Sequence, residues 1–456
     1  EGPVMTSSPA ASPLLTDPPM RLLVRMAGPS ALALLVQAGV SMAEAGFIAR
    51  LGLVPLAAIA LMLPALMLMQ MLANGALGGA VSSSVARALG RGDGAAANAF
   101  IWHALVIAGL ASLVFGGLFA SFGHALLVAT GAPHSVVAEA HEYGAVLFLG
   151  VAPIWISAFL TSVVRGTGDM QFPARLMIIG SLVQIPLSGA LMLGGLGLPG
   201  LGLKGSAVAV ILVSAGSSLV LVWRLLKPGQ TIQLTLQACR LRLAYFADIL
   251  RVGALASLSP VSTVLTIAVL NTLIGRFGVE TLAGYGVVAR VEFLLVPLVF
   301  GIGAALTALV GVNMGAGQVA RAERIGWMGG GAAAALAGAV GLVLALAPGL
   351  WTGLFTRDPA SLSAGALYLH IVGPVFAFQG LGLALYFASQ GAGAVLWPII
   401  ATLLRLVICV GGAAMVMRSP QPSLAGVYAC IAAGMVAYGA LTAAALWRGA
   451  WRRKRG

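Results

Sequence analysis

The chain has 456 residues; 60% are hydrophobic, only 8% are charged, and basic residues outnumber acidic ones to leave a formal net charge of +13. An ordinary soluble domain carries about 25% charged residues, so a soluble multi-domain enzyme is excluded, and so is a disordered chain, which needs low hydrophobicity. What remains is an all-α polytopic membrane protein: a spanning helix takes about 20 residues, and the positive balance reads as orientation, because basic residues collect in cytoplasmic loops, rather than as a nucleic-acid footprint.

In chain order, apolar runs of spanning length fall at 27–48, 55–80, 97–121, 142–164, 174–195, 205–223, 252–275, 281–311, 327–349, 366–389, 398–417 and 424–446. Residues 1–26 are expected to form an N-terminal cytoplasmic tail; the polar stretch Glu1 to Asp17 does not read as a cleavable signal peptide. Spans 1–6 (27–223) and spans 7–12 (252–446) are expected to form two lobes. The segment between them, 224–251, is the only long polar connection. Its Leu/Arg alternation, with Leu234, Leu241 and Leu243 among Arg240 and Arg242, predicts an interfacial amphipathic helix in a cytoplasmic linker. Residues 447–456 are expected to form a basic cytoplasmic tail. With the N-terminus inside, Arg21, Arg25, Arg87, Arg91, Arg165 and Arg175 join the linker and tail cations on the inner side, whereas the outer segments hold only Arg50, Lys204, Arg276, Arg357 and Arg418. This skew predicts both termini in the cytoplasm, an even number of spans and a multi-pass protein of the plasma (inner) membrane. Cys239, Cys409 and Cys430 are too few and too scattered for a disulfide framework or a metal site.

An internal repeat supports the division into halves. Arg165-Gly-Thr-Gly-Asp-Met-Gln-Phe-Pro173 aligns with Gln390-Gly-Ala-Gly-Ala-Val-Leu-Trp-Pro398 at an offset of 225 residues. Leu89-Gly-Arg-Gly92 aligns with Met314-Gly-Ala-Gly317 at the same offset, and Arg50-Leu-Gly52 with Arg276-Phe-Gly278 at 226. Six spans per half is an even number, so the repeats are parallel, related by an axis along the membrane normal. Two such bundles facing each other form a V-shaped cleft, the architecture of an alternating-access transporter.

Over nearly its whole length the sequence resembles the multidrug and toxic compound extrusion (MATE) transporters, in their DinF-like branch. The marks are AEAGFIARLG at 43–52, where the family commonly reads VDxxxVGRLG, ALGRGD at 88–93, RGTGD at 165–169 and LAGYGVVARVE at 282–292. The resemblance implies twelve helices in two six-helix lobes, and export of amphipathic, often cationic, organic compounds in exchange for protons or sodium ions. The family's acid near the end of the first span falls on Glu44. The Asn and Asp that often complete an N-lobe cation site on the fifth span fall on Gln184 and Ser188, and the Glu of a C-lobe site on the seventh span falls on Ser259. The second carboxylate is missing, so protons are the expected coupling ion, with sodium second.

Embedded polar residues supply the candidate sites. Glu44 has no counterpart in the second half, where the equivalent position is Leu270. An ionised carboxylate deep in a bilayer must face a cavity or a partner, or take up a proton, and burial disfavours the charged form of a carboxyl; Glu44 is therefore the expected coupling group, with a plain structural acceptor as the alternative. Gln184 and Ser188, four apart, share a helical face, and Pro186 between them frees a backbone carbonyl. Candidates for cargo contact or gating are Gln37 on span 1, Met67, Gln70 and Asn74 on span 2, Arg290 and Glu292 on span 8, Gln379 on span 10 and Arg405 on span 11. Arg290 and Glu292, about ten residues into their span and so ~15 Å deep, point to different faces; Arg405 is the expected ion-pair partner of Glu292.

The glycine-rich turns at 165–168 and 390–393 lack the Lys-Ser/Thr of a P-loop, so transport is expected to be driven by an ion gradient without a cofactor. No metal is expected, and the expected partners are small amphipathic molecules and the lipid bilayer, with the monomer as the functional unit. Two alternatives are a sodium-coupled multidrug antiporter and a lipid-linked precursor flippase, which would need a strongly basic cleft. An intramembrane enzyme would need a nucleophile–base or metal constellation that the spans do not offer.

Overall fold

The computed structural model describes residues 13–452 apart from 196, 198 and 199. Glu1 and the tail cations Arg453, Lys454 and Arg455 lie outside the described residues.

Among the described residues there is no β-strand, and eleven helices are long and apolar enough to cross a membrane. They are α1 (Pro19–Leu51), α2 (Leu53–Gly90), α3 (Gly94–Val128), α5 (Gln171–Leu193), α6 (Lys204–Leu226), α7 (Leu243–Gly275), α8 (Val279–Gly315), α9 (Val319–Leu346), α10 (Pro359–Ala392), α11 (Leu396–Arg418) and α12 (Leu424–Trp447). The remaining crossing, α4, is a pair of helices, His134–Leu149 and Ala152–Gly166, bent by 52°. Pro153 sits at the break, where its missing N–H interrupts the helical ladder. Large apolar side chains cover the outside: Leu113 is 73% exposed, Leu219 70% and Leu182 62%. Such a surface is stable only against lipid.

Backbone geometry carries the repeat. Gly52, Gly92 and Gly168 have positive φ values of 116°, 75° and 89°, and their counterparts Gly278, Gly317 and Gly393 have 117°, 75° and 71°. These left-handed positions end helices at matching places in both halves, and glycine adopts them at little steric cost.

The lobes meet at the end that carries both described chain ends and the Arg87, Arg91 and Arg165 turns. There α2 and α8 touch backbone to backbone. A Cβ on Gly90 would lie 2.1 Å from the Val312 carbonyl oxygen, and one on Gly315 would lie 2.2 Å from the Arg87 carbonyl oxygen. The two contacts are exchanged by the repeat offset of 225, so a pseudo-two-fold axis passes between them. Toward the other end the lobes diverge, giving the V.

Two helices begin earlier than their hydrophobicity implies. α1 starts at Pro19, inside the stretch assigned to an N-terminal tail; proline is pre-organised for a first helical turn. Leu22, Leu23 and Met26 then bury themselves among Val299, Leu306, Leu309 and Leu385 of the second half. α7 mirrors this: its early residues Ile249, Val252 and Ala256 join the core of the first half. Each lobe therefore receives the opening turns of the other's first helix.

The expected interfacial helix in the linker is not formed. Between Leu226 and Leu243 the chain is irregular save for one 3-10 turn, Leu236–Ala238. Pro228-Gly229 stops α6, and tertiary contacts then hold the segment along α3. Ile232 is buried, Asn98 Oδ1 accepts from the Gln233 amide at 2.8 Å, Trp102 Nε1 donates to the Thr235 carbonyl at 2.9 Å, and His103 Nε2 accepts from the Arg242 amide at 3.0 Å. These bonds satisfy backbone groups that an α-helix would have used internally.

Candidate functional site

In the first lobe, two polar steps join α1 to α5. Gln37 and Glu44 are seven residues apart, two turns along one face of α1. Gln37 Oε1 accepts from Ser181 Oγ at 3.2 Å. Glu44 Oε1 accepts from both Gln184 Nε2, at 3.0 Å, and Ser188 Oγ, at 2.8 Å. Ser188 is fully buried and Gln184 nearly so, while Glu44 is half-buried. Both donors use one carboxylate oxygen; Oε2 has no hydrogen-bond partner among the described residues and is not buried. The sequence-predicted trio is thus brought together. Ser181, bonded to Gln37, extends it; a lone Ser carried no signal in the sequence.

In the second lobe, Glu292 and Gln379 line one small cavity between α8, α9 and α10, walled by Leu295, Val299, Ala337 and Phe376. The expected Glu292–Arg405 ion pair is not made. Glu292 accepts a hydrogen bond from the Tyr368 hydroxyl, and Tyr368 packs edge-on against Tyr285 and Tyr428, with ring centroids 5.6 and 5.1 Å away. Arg405 donates to Gln379 Oε1 at 3.1 Å and Thr263 Oγ1 at 2.9 Å, and lies 5.2 Å from the centroid of the Tyr438 ring. Neutral acceptors and a ring face replace the carboxylate. A π-helical turn, Val407–Gly411, begins two residues after Arg405; such turns disturb the ladder and are frequent at functional sites.

The other candidates scatter. Arg290 is exposed, 5.0 Å from the centroid of the Phe355 ring, away from Glu292. Gln70 is exposed, and its carbonyl accepts from Asn74 Nδ2 at 3.3 Å within a second π-helical turn, Met71–Ala76. Met67 is half-buried on the same helix, whereas Met62 and Met69 belong to the core of the first lobe.

At the closed end, charged residues are paired across helices. Arg87 meets Asp248 at 2.8 Å, Arg224 meets Asp169 at 2.5 Å, and Arg452 grips Glu323 through two nitrogens at 2.9 and 2.8 Å. Ser83 donates to the Gln390 and Gly391 carbonyls across the lobe boundary. These arginines therefore clasp this end.

Two parallel six-crossing lobes, sealed at one end around polar sites within each lobe, define a membrane transporter rather than an enzyme. The MatE family profile matches residues 29–189 and 256–415, covering most of both lobes, and the chain belongs to that family. Among curated proteins, the chain is 26% identical over 317 residues to the FAD transporter of Shewanella oneidensis, covering 68% of this chain and 69% of that one. It is 28% identical over 382 residues to the multidrug resistance protein NorM of Burkholderia vietnamiensis, covering 82% and 81%. Among solved structures, a MOP-superfamily transporter from Pyrococcus furiosus, with a binding pocket of reversed polarity, superimposes with a TM-score of 0.89 at 25% identity, covering 97% of this chain and 98% of that one. A multidrug resistance MATE family transporter in an outward-facing conformation gives 0.86 at 26% identity, covering 97% and 100%.

Proposed function

We propose that this chain is a secondary antiporter of the plasma membrane, acting as a monomer with both termini in the cytoplasm. It exports amphipathic, often cationic, organic compounds in exchange for protons, and Glu44 is the coupling group. The observation that carries this reading is the asymmetric use of the Glu44 carboxylate: both donors sit on Oε1, and Oε2 is left for a proton. When ionised, the carboxylate draws charge-assisted hydrogen bonds from Gln184 and Ser188, roughly twice as strong as neutral ones. A proton on Oε2 weakens both, loosens α1 from α5 and reshapes the first lobe beside Pro186. Because α1 begins in the core of the second lobe, that change is felt at the lobe boundary.

Proton coupling is favoured over sodium because the neighbours of Glu44 supply no second carboxylate. A lipid-linked precursor flippase would need a basic cleft, and Arg405 is already engaged by Gln379 and Thr263.

The test is efflux of a fluorescent organic cation from proteoliposomes under an imposed pH gradient and, separately, a sodium gradient, with FAD as a contrasting anionic cargo. The pH gradient is expected to accelerate cation efflux in the native protein and to have no effect in Glu44→Gln, with both proteins inserted equally. Acceleration by sodium alone, or full proton-driven efflux by Glu44→Gln, would overturn the proposal.

A further inference from the structure

Arg165 ends α4 at the lobe boundary. Its side chain is only 8% exposed. It makes no hydrogen bond and no ion pair with any described residue, and it lies 5.6 Å from the centroid of the Phe300 ring. Arginine stays charged in proteins, and a buried charge without a counter-charge is costly. The carboxylates that could have served are committed elsewhere: Asp169 to Arg224, Asp248 to Arg87, Glu323 to Arg452, and Asp93 to the first turn of α3.

Arg165 lines a small cavity between the lobes, with Asn74, Ser82, Ser162, Phe300 and Thr307 among its walls. The cavity has room for about one water-sized occupant. One further polar group of its lining lacks a partner, Ser82 Oγ. The repeat offset of 225 relates the two sides, carrying Ser82 onto Thr307 and Arg165 onto Gln390. Both lobes wall the pocket, and the unused groups in its lining are one guanidinium and one hydroxyl: both can donate, and neither brings a negative charge.

We propose that this pocket binds a monovalent halide, chloride in the cell, held by Arg165 and Ser82 of the first lobe and enclosed by Phe300 and Thr307 of the second. A halide supplies the missing counter-charge, fits a one-atom space and needs only donors. Separation of the lobes would strip Phe300 and Thr307 from the pocket, so halide binding favours the conformation closed at this end. That last step rests on the alternating-access reading; the binding itself does not.

The experiment uses the full-length protein in nanodiscs, without cargo or gradient, so its outcome is independent of whether the protein exports organic cations. Sodium chloride or bromide replaces sodium gluconate at fixed ionic strength while Tm is followed by tryptophan fluorescence. A saturable rise in Tm with either halide is expected, and in Arg165→Gln the half-effect concentration should rise about tenfold or more. If Arg165→Gln does not fold, Ser82→Ala gives the same readout with a smaller shift. Superimposable chloride and gluconate curves for the native protein, or an undiminished halide response in Arg165→Gln, would overturn the site.

Discussion

Replacing Gly315 by alanine drives a methyl group into the closest contact between the lobes. The new Cβ would lie 2.2 Å from the Arg87 carbonyl oxygen, whereas real Cβ atoms essentially never come within 3.0 Å of a neighbour, so α2 and α8 must part by at least about 0.8 Å. The obstacle is backbone on both sides and cannot rotate away. Overpacking of this kind costs about 1–3 kcal/mol. The strain exists only while the lobes are closed at this end, so the cost falls on that conformation rather than on the fold. A bias of this size lowers its population roughly 5- to 150-fold relative to the alternative. The assay is double electron–electron resonance between nitroxides at Thr130→Cys and Arg357→Cys, exposed positions in the divergent ends of the two lobes, with the exposed Cys239 replaced by serine. The long-distance population should shrink and a shorter one grow, while Tm stays close to its native value. An unchanged distance distribution in a folded protein would show that the α2–α8 contact does not hold the lobes closed.

Two further outcomes follow from features outside the spans. Asp358 caps α10: its Oδ2 accepts the Ser361 amide at 2.7 Å, and this bond holds the carboxyl below its ordinary value of 3.8. A lowered folded value adds stability above the ordinary carboxyl range and loses it as the pH falls through the folded value; Asp358→Ala should therefore lower Tm at neutral pH, with the gap to native closing in acid. Trp451, 4% exposed, packs on Gly326 and donates to Ser389 Oγ at 3.2 Å, so Trp451→Ala should cost about 3–5 kcal/mol and lower Tm, with chemical denaturation as the check.

Much of this architecture was legible in the sequence because lipid imposes a simple rule on composition. Spanning runs follow from what a bilayer tolerates, and the repeat at 225 shows because the same glycine turns recur in both halves. The trio Glu44, Gln184 and Ser188 was legible for a narrower reason, since an i, i+4 pair on one helix and a lone acid on another restrict the possible faces. The partners of Glu292 and Arg405 were not. Sequence offers charges and invites their pairing, but Tyr368, Gln379 and Thr263 reach them first, and neutral residues leave no trace of such a role. The early starts of α1 and α7 were hidden because their opening turns mix arginine with leucine and are buried by protein from the opposite lobe rather than by lipid. The linker misled for a related reason: its leucine–arginine alternation fits an interfacial helix, but hydrogen bonds to Asn98 and His103 and from Trp102 give its backbone better partners.

The matched left-handed glycines mean that both lobes turn at the same places, while their polar residues do not match: Glu44 answers to Leu270, Glu292 to Leu66 and Arg405 to Gly180. The halves share one set of joints but carry different cargoes of charge. A rocking motion about the shared axis would then be symmetric in form and lopsided in its driving force, like a pair of identical doors with a latch on one and a counterweight on the other.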